Sequence, residues 1–148
     1  MDQSRAMFVE RCAVPEVDKS RWVAHYLLQW TTPDRSEARY EITAHGLRLV
    51  IDVDQPAWRD VDGGLRVSHL QTGLFSGPVG STVGTRRHVD GLTVVTAQPE
   101  RRLFLPTGGR VEVEMRASAD PTVMLAFWLV GSEESPSYPA AFLSPAGG

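Results

Sequence analysis

Two carboxylates spaced two residues apart, Glu112 and Glu114, are the first place in this sequence where chemistry could be organised. They alternate with Val111, Val113 and Met115 between Arg110 and Arg116, after a Gly108-Gly109 turn and before the Asp120-Pro121 break. Successive side chains of a strand point to opposite faces, so Glu112, Glu114 and both arginines share one surface. That surface reads either as the solvent side of an antiparallel sheet or as the floor of a polar cleft. The following segment 122–130, TVMLAFWLV, carries Phe127 and Trp128, and pairing of the two segments would bring an indole near the carboxylates. Aromatic rings stack on the apolar face of a pyranose while carboxylates accept hydrogen bonds from its hydroxyls. Sugar binding is therefore the chemistry these residues suit, with packing of Trp128 in a core as the competing reading.

Other chemistries find less support. His25, His45, His69 and His88 are far apart, and none shares the i, i+2 or i, i+4 spacing that aims two imidazoles at one metal, so no metal site is expected. Cys12 is the one cysteine; it has no partner for an internal disulfide and no neighbouring histidine to activate it. The run GLFSGPVGSTVG lacks the Lys-Ser/Thr ending and the amphipathic helix of a phosphate-cradling loop, and reads as a β-connection. Ser76 lies in Phe75-Ser76-Gly77-Pro78, whose proline disfavours a strand-to-helix nucleophile turn. Glu133 and Glu134 are adjacent, would point to opposite faces of a strand, and read as loop charges. No cofactor is expected.

The elements that must position these residues are short strands. The 148 residues, 42% of them hydrophobic, suffice for one domain with a real core. A net charge of -3 with scattered Lys and Arg gives no reason to expect nucleic acid or an anionic membrane as partner. The opening MDQSRAMFVERC has no continuous apolar run, so it reads as neither signal peptide nor membrane anchor, and a cytoplasmic location is expected. Alternation of apolar and polar residues predicts strands at Leu47 to Val53, Leu65 to His69, Leu92 to Thr96 and Arg110 to Arg116. Segment 122–130 is apolar on both faces and predicts a central strand buried on both sides. Only Ser36 to Glu41 and the first dozen residues offer a helical possibility. The expected fold is an all-β antiparallel sandwich or jelly roll, with Gly73 to Gly84 as a long ordered connection. Its parts are a poorly patterned segment 1–17, a β domain 18–131 and an irregular, proline-rich tail 132–148.

With these residues in view, the stretch GGRVEVEMRASADPTVMLAFWLVG resembles the glycoside hydrolase family 16 signature, a Gly-Arg-aromatic-Glu strand followed by a strand ending in Phe-Trp-Leu. The segments LRVSHLQTGLFSGPVGSTVG and DKSRWVAHYLLQW are similar to what precedes it in bacterial members, so the resemblance runs from about Asp18 to Gly131. It implies a concanavalin A-like jelly roll with a cleft on the concave sheet, and hydrolysis of O-glycosyl bonds in β-glucan-type polysaccharides. By resemblance Glu112 falls on a cleft-lining glutamate and Trp128 on the aromatic of the Phe-Trp-Leu strand. Glu114 stands where the family usually has arginine.

The family's chemistry comes from Glu-x-Asp-x-x-Glu, or a variant one residue longer, on the next strand, which sets two carboxyl groups about 5 Å apart for a retaining mechanism. SEESPSYPAAFLSPAGG stands there instead, with no acid after Glu134 and with Pro136, Pro139 and Pro145 against a central strand. The expectation is a β-glucanase-like domain without a catalytic residue, inactive in this form, with Glu112, Glu114 and Trp128 as sugar-binding residues. The sandwich is expected to be incomplete, from a truncated or frame-shifted reading, and self-association follows from its unpaired strands. Two alternatives stay open: a non-catalytic, lectin-like carbohydrate-binding β-sandwich, and a structural or interaction β-domain with no sugar function.

Overall fold

The computed structural model describes residues 8–130; Glu133, Glu134 and the proline-rich segment lie outside the described residues. Regular elements are few. A 3-10 turn at Leu28–Trp30 is followed by one helical turn, α1 (Pro33–Ser36), and by strands β1 (Arg39–Thr43), β2 (Gly46–Val50), β3 (Gly73–Leu74) and β4 (Arg101–Arg102). The strands form two antiparallel pairs, β1 with β2 and β3 with β4. The helix-poor, antiparallel β character expected from the sequence is therefore observed, in the form of two small sheets.

The hairpin arises where the turn residues demand it. Arg39 pairs with Val50, and the register runs to Thr43 opposite Gly46. Ala44 and His45 make the turn, and Gly46 at φ 111° takes the conformation that side chains avoid, as in a bulge closing a short hairpin loop. Strand β2 begins as the alternation predicts but ends at Val50, three residues early. Arg39 Nη1 reaches Asp52 at 3.0 Å and Asp54 at 2.6 Å, and Gln55 N donates to Asp52 O at 3.2 Å, which turns the chain away from the ladder. The helical possibility at Ser36 to Glu41 is displaced: Pro33 opens α1, for which its fixed φ is suited, and β1 takes over from Arg39.

Two apolar clusters hold the molecule together. One gathers Leu27, Trp30, Trp58, Leu92 and Val94, with Tyr26 and Val67 against it; the other gathers Val23, Leu28 and Leu74 with Leu103. The buried indoles satisfy their donors on the backbone, Trp30 Nε1 on Thr85 O at 2.9 Å and Trp58 Nε1 on Tyr26 O at 3.0 Å. Segment 92–96 buries Leu92 and Val94 and exposes Thr93 and Val95, the predicted facing. Its backbone is anchored from two sides: Val94 N donates to Ser81 O and Gly80 N to Val94 O, both at 2.8 Å, and Val95 N donates to Gln29 O at 2.8 Å.

The glycine-rich connection packs closely against this core. A Cβ on Gly84 would lie 2.9 Å from the Trp30 indole, and one on Gly73 would lie 2.6 Å from Arg101 O across the β3–β4 pair. Both positions need glycine because a neighbour occupies the space of a side chain.

Four predicted strands are not formed as ladders, and segment 92–96 is one of them: it keeps the predicted facing but pairs with no strand. Over Leu65 to His69 the chain is held by single contacts: Trp58 N donates to Leu65 O at 2.7 Å, Gln55 Nε2 donates to Val67 O, and Ser68 Oγ accepts from Arg39 N at 3.1 Å. The strand expected over Arg110 to Arg116 and the doubly buried central strand expected over 122–130 are corrected more strongly, because every residue from 105 to 130 is exposed. A two-sided apolar strand needs cover on both faces, and no described segment provides it.

Candidate functional site

The three residues singled out from the sequence stand on this uncovered stretch. Glu112 forms an ion pair with Arg110, two residues earlier, which agrees with the shared face that strand geometry assigns to them. Glu114 is exposed and makes no ion pair or hydrogen bond among the described residues. Trp128 is 55% exposed, and the Arg86 guanidinium carbon lies 5.7 Å from its ring centroid, within cation–π reach. Among the described residues no hydrogen bond, ion pair or ring contact joins either carboxylate to the indole; the fold brings Trp128 to the Arg86 loop.

A second assembly was not legible in the sequence. Tyr26 meets Trp58 edge-on with ring centroids 5.1 Å apart, and meets His69 edge-on at 5.2 Å. The exposed His88 ring lies over Trp58 at 5.7 Å with 27° between planes. Arg59 lies 5.4 Å from the Trp58 ring and grips Asp62 in a fork, Nε to Oδ2 and Nη2 to Oδ1, each at 2.7 Å. Loop closure explains this arrangement. Trp58 N bonds Leu65 O, Leu65 N bonds Asp62 O at 3.3 Å, and Gly63 and Gly64 supply the positive φ angles that the tight return needs. Trp58 itself is 1% exposed, so both Trp58 and Trp30 are core residues, and His88 is what the assembly presents to solvent.

The ionisation states follow from these contacts. Burial depresses His69 to a pKa of about 4, so its imidazole is neutral at neutral pH. Burial raises Tyr26, with Arg86 opposing and Asp62 adding to the shift, and keeps the phenol protonated. The hydrogen bonds from Arg59 lower Asp62, against a smaller opposing effect of burial, and keep it a carboxylate. This set offers hydrogen-bonding groups and aromatic surface; its one carboxylate is held ionised and cannot serve as a general acid.

Between these regions lies an open cleft of ≈ 560 Å³, walled by Ile51 to Val53, Asp62 to Arg66, and Asp120, Thr122 and Val123. Its charges are committed locally. Asp52 is held by Arg39, Arg66 Nη1 donates to Asp52 O at 3.0 Å, and Asp120 accepts from Thr122 N at 2.9 Å and Thr122 Oγ1 at 2.7 Å.

Burial, then Glu10, raises the Cys12 thiol, away from the thiolate form a nucleophile needs. Among the described residues no group of three His, Cys, Asp or Glu is placed to hold a metal ion, and no helix is long and apolar enough to cross a membrane.

Tyr26, the Arg59–Asp62 pair, His69 and His88 escape a sequence reading because they come from four separate segments that no spacing links. Compared with known proteins, the chain matches no family model, no curated protein and no solved structure.

Proposed function

We propose that this chain is a family 16 glycoside hydrolase-like domain, built on a concanavalin A-like antiparallel sandwich, that binds β-glucan-type polysaccharide without hydrolysing it. The observation that carries the reading is the 55% exposed Trp128 indole, an aromatic platform with the Arg86 guanidinium over its ring. A pyranose ring stacks on such a platform while its hydroxyls accept from Arg86 and donate to the carboxylates of Glu112 and Glu114. The sequence resemblance from about Asp18 to Gly131 supports the family.

Absence of turnover follows from the chemistry of glycoside cleavage. Hydrolysis needs one carboxyl group that is protonated and a second that is ionised, on either side of the scissile bond. Asp62 is held ionised by Arg59, Glu112 is engaged with Arg110, and the sequence after Gly131 contains no Glu-x-Asp-x-x-Glu.

The test pairs glycan-affinity electrophoresis in laminarin, mixed-linkage glucan and agarose with a reducing-sugar assay on the same polymers. Retardation by at least one glucan, lost in Trp128→Ala, with no sugar released, is the expected result. Unretarded migration in all three polymers overturns the binding reading. Turnover that Glu112→Gln abolishes overturns the inactive one.

A further inference from the structure

Residues 105–130 combine an exposed apolar surface with a backbone that makes few hydrogen bonds among the described residues. Their large apolar side chains are all exposed, Met124 by 80% and Leu129 by 72%. Eleven large apolar residues, from Leu105 to Val130, are each more than a third exposed, which is apolar surface that a partner could cover in an interface of about 800 Å² a side. From 105 to 130 the described residues make one backbone–backbone hydrogen bond, Val123 N to Asp120 O at 3.1 Å, and Asp120 N and Thr122 N bond side chains in the same turn, which leaves the alternating stretch before it as a template for a strand.

The sequence of this template selects its own partner. In an antiparallel self-pairing centred on Val113, Arg110 would face Arg116 and Glu112 would face Glu114, all like charges. Centres at Glu112, Glu114 or Arg116 put a charged residue opposite itself. A centre at Met115 removes every clash. It sets Glu114 opposite Arg116, Glu112 opposite Ser118 and Arg110 opposite Asp120. On the other face it sets Val113 opposite Ala117 and Val111 opposite Ala119, a large residue against a small one each time. The Arg110–Glu112 ion pair already holds residues i and i+2 on one side, the facing this pairing needs.

We infer that this stretch is a self-association surface on which a second copy of the chain adds as an antiparallel strand, with the two-fold axis at Met115. The contact is isologous and closes at two copies. It does not depend on sugar, so its readout is separate from that of the proposed function.

Analytical ultracentrifugation of the whole chain across protein concentrations, without glycan, tests it. The wild type sediments as a dimer. Glu114→Lys and Arg116→Glu each turn two facing attractions into repulsions and weaken the dimer by roughly ten-fold, and the charge-swapped double variant restores it to within about three-fold. Glu114 and Arg116 are exposed, and the fluorescence of the buried Trp30 and Trp58 reports that each variant keeps its core. In a Cys12→Ser background, Met115→Cys cross-links to a disulfide dimer on oxidation and Val113→Cys does not, because only the axial residue faces its own copy. A monomer at every concentration, an open-ended polymer, single variants without effect, or a double variant that fails to restore the dimer overturns the inference.

Discussion

Segments 92–96 and 110–116 carry the same alternation of apolar and polar residues, yet Leu92 and Val94 are buried while Val111, Val113 and Met115 stand in solvent. The difference lies outside both segments. Val94 and Val95 are held by backbone groups of Ser81, Gly80 and Gln29, and the apolar sides of Leu92 and Val94 close on Trp30 and Trp58. No described segment offers Arg110 to Arg116 either kind of partner. Alternation thus states which way a side chain faces, and a distant segment decides whether that face is covered.

The covered segment depends most on the indoles that close over it. Trp58→Ala removes a fully buried ring with its bond to Tyr26 O and is expected to cost about 3–5 kcal/mol, a large part of the stability of an ordinary domain, read as a lowered urea midpoint. Trp128→Ala is expected to stay within about 0.5 kcal/mol, so that glycan retention falls while the urea midpoint does not move. Equal losses at both positions would mean that residue 128 belongs to a core.

A matched pair sharpens the contrast without changing side-chain size. Val94→Thr buries an unpartnered hydroxyl and is expected to cost about 1–3 kcal/mol; Val111→Thr, at protein concentrations where the chain is monomeric, is expected to change stability by less than about 0.5 kcal/mol. Gly84→Ala forces a methyl against the Trp30 ring and is expected to cost about 1–3 kcal/mol by denaturant unfolding. A neutral result there would show that the connection yields easily.

The smallest effect is a pH dependence. His69 has its folded pKa at about 4, below the ordinary 6.5 that the unfolded chain retains. As pH falls through 6.5 the unfolded state takes up a proton that the folded state refuses, so stability declines between pH 6.5 and 4 and levels off below. In His69→Phe this contribution is absent, and the difference between the two stability curves across that window measures it. Parallel curves would place His69 in water.

Much of the local structure could be read from residue order. The His45-Gly46 turn, the start of β2, the facing of Leu92 and Val94 and the shared side of Arg110 and Glu112 all follow from turn chemistry and a period of two. The early end of β2 could not, because it depends on Arg39 reaching Asp52 and Asp54 across the hairpin. The candidate site divides in the same way. Trp128 was visible as an aromatic on a patterned segment, whereas its neighbour Arg86 lies 42 positions away in sequence and carries no mark of that contact.

By itself, then, the sequence determined the strand-like facings, the turns and the low helix content, because these rest on neighbours within a few residues. That Trp30 and Trp58 are core, that Tyr26 and His88 meet Trp58 while His69 meets Tyr26, and that 105–130 is exposed with no described segment over it came from the fold. Burial and contact require a second segment to arrive from far along the chain, and a periodic pattern holds no record of whether one does.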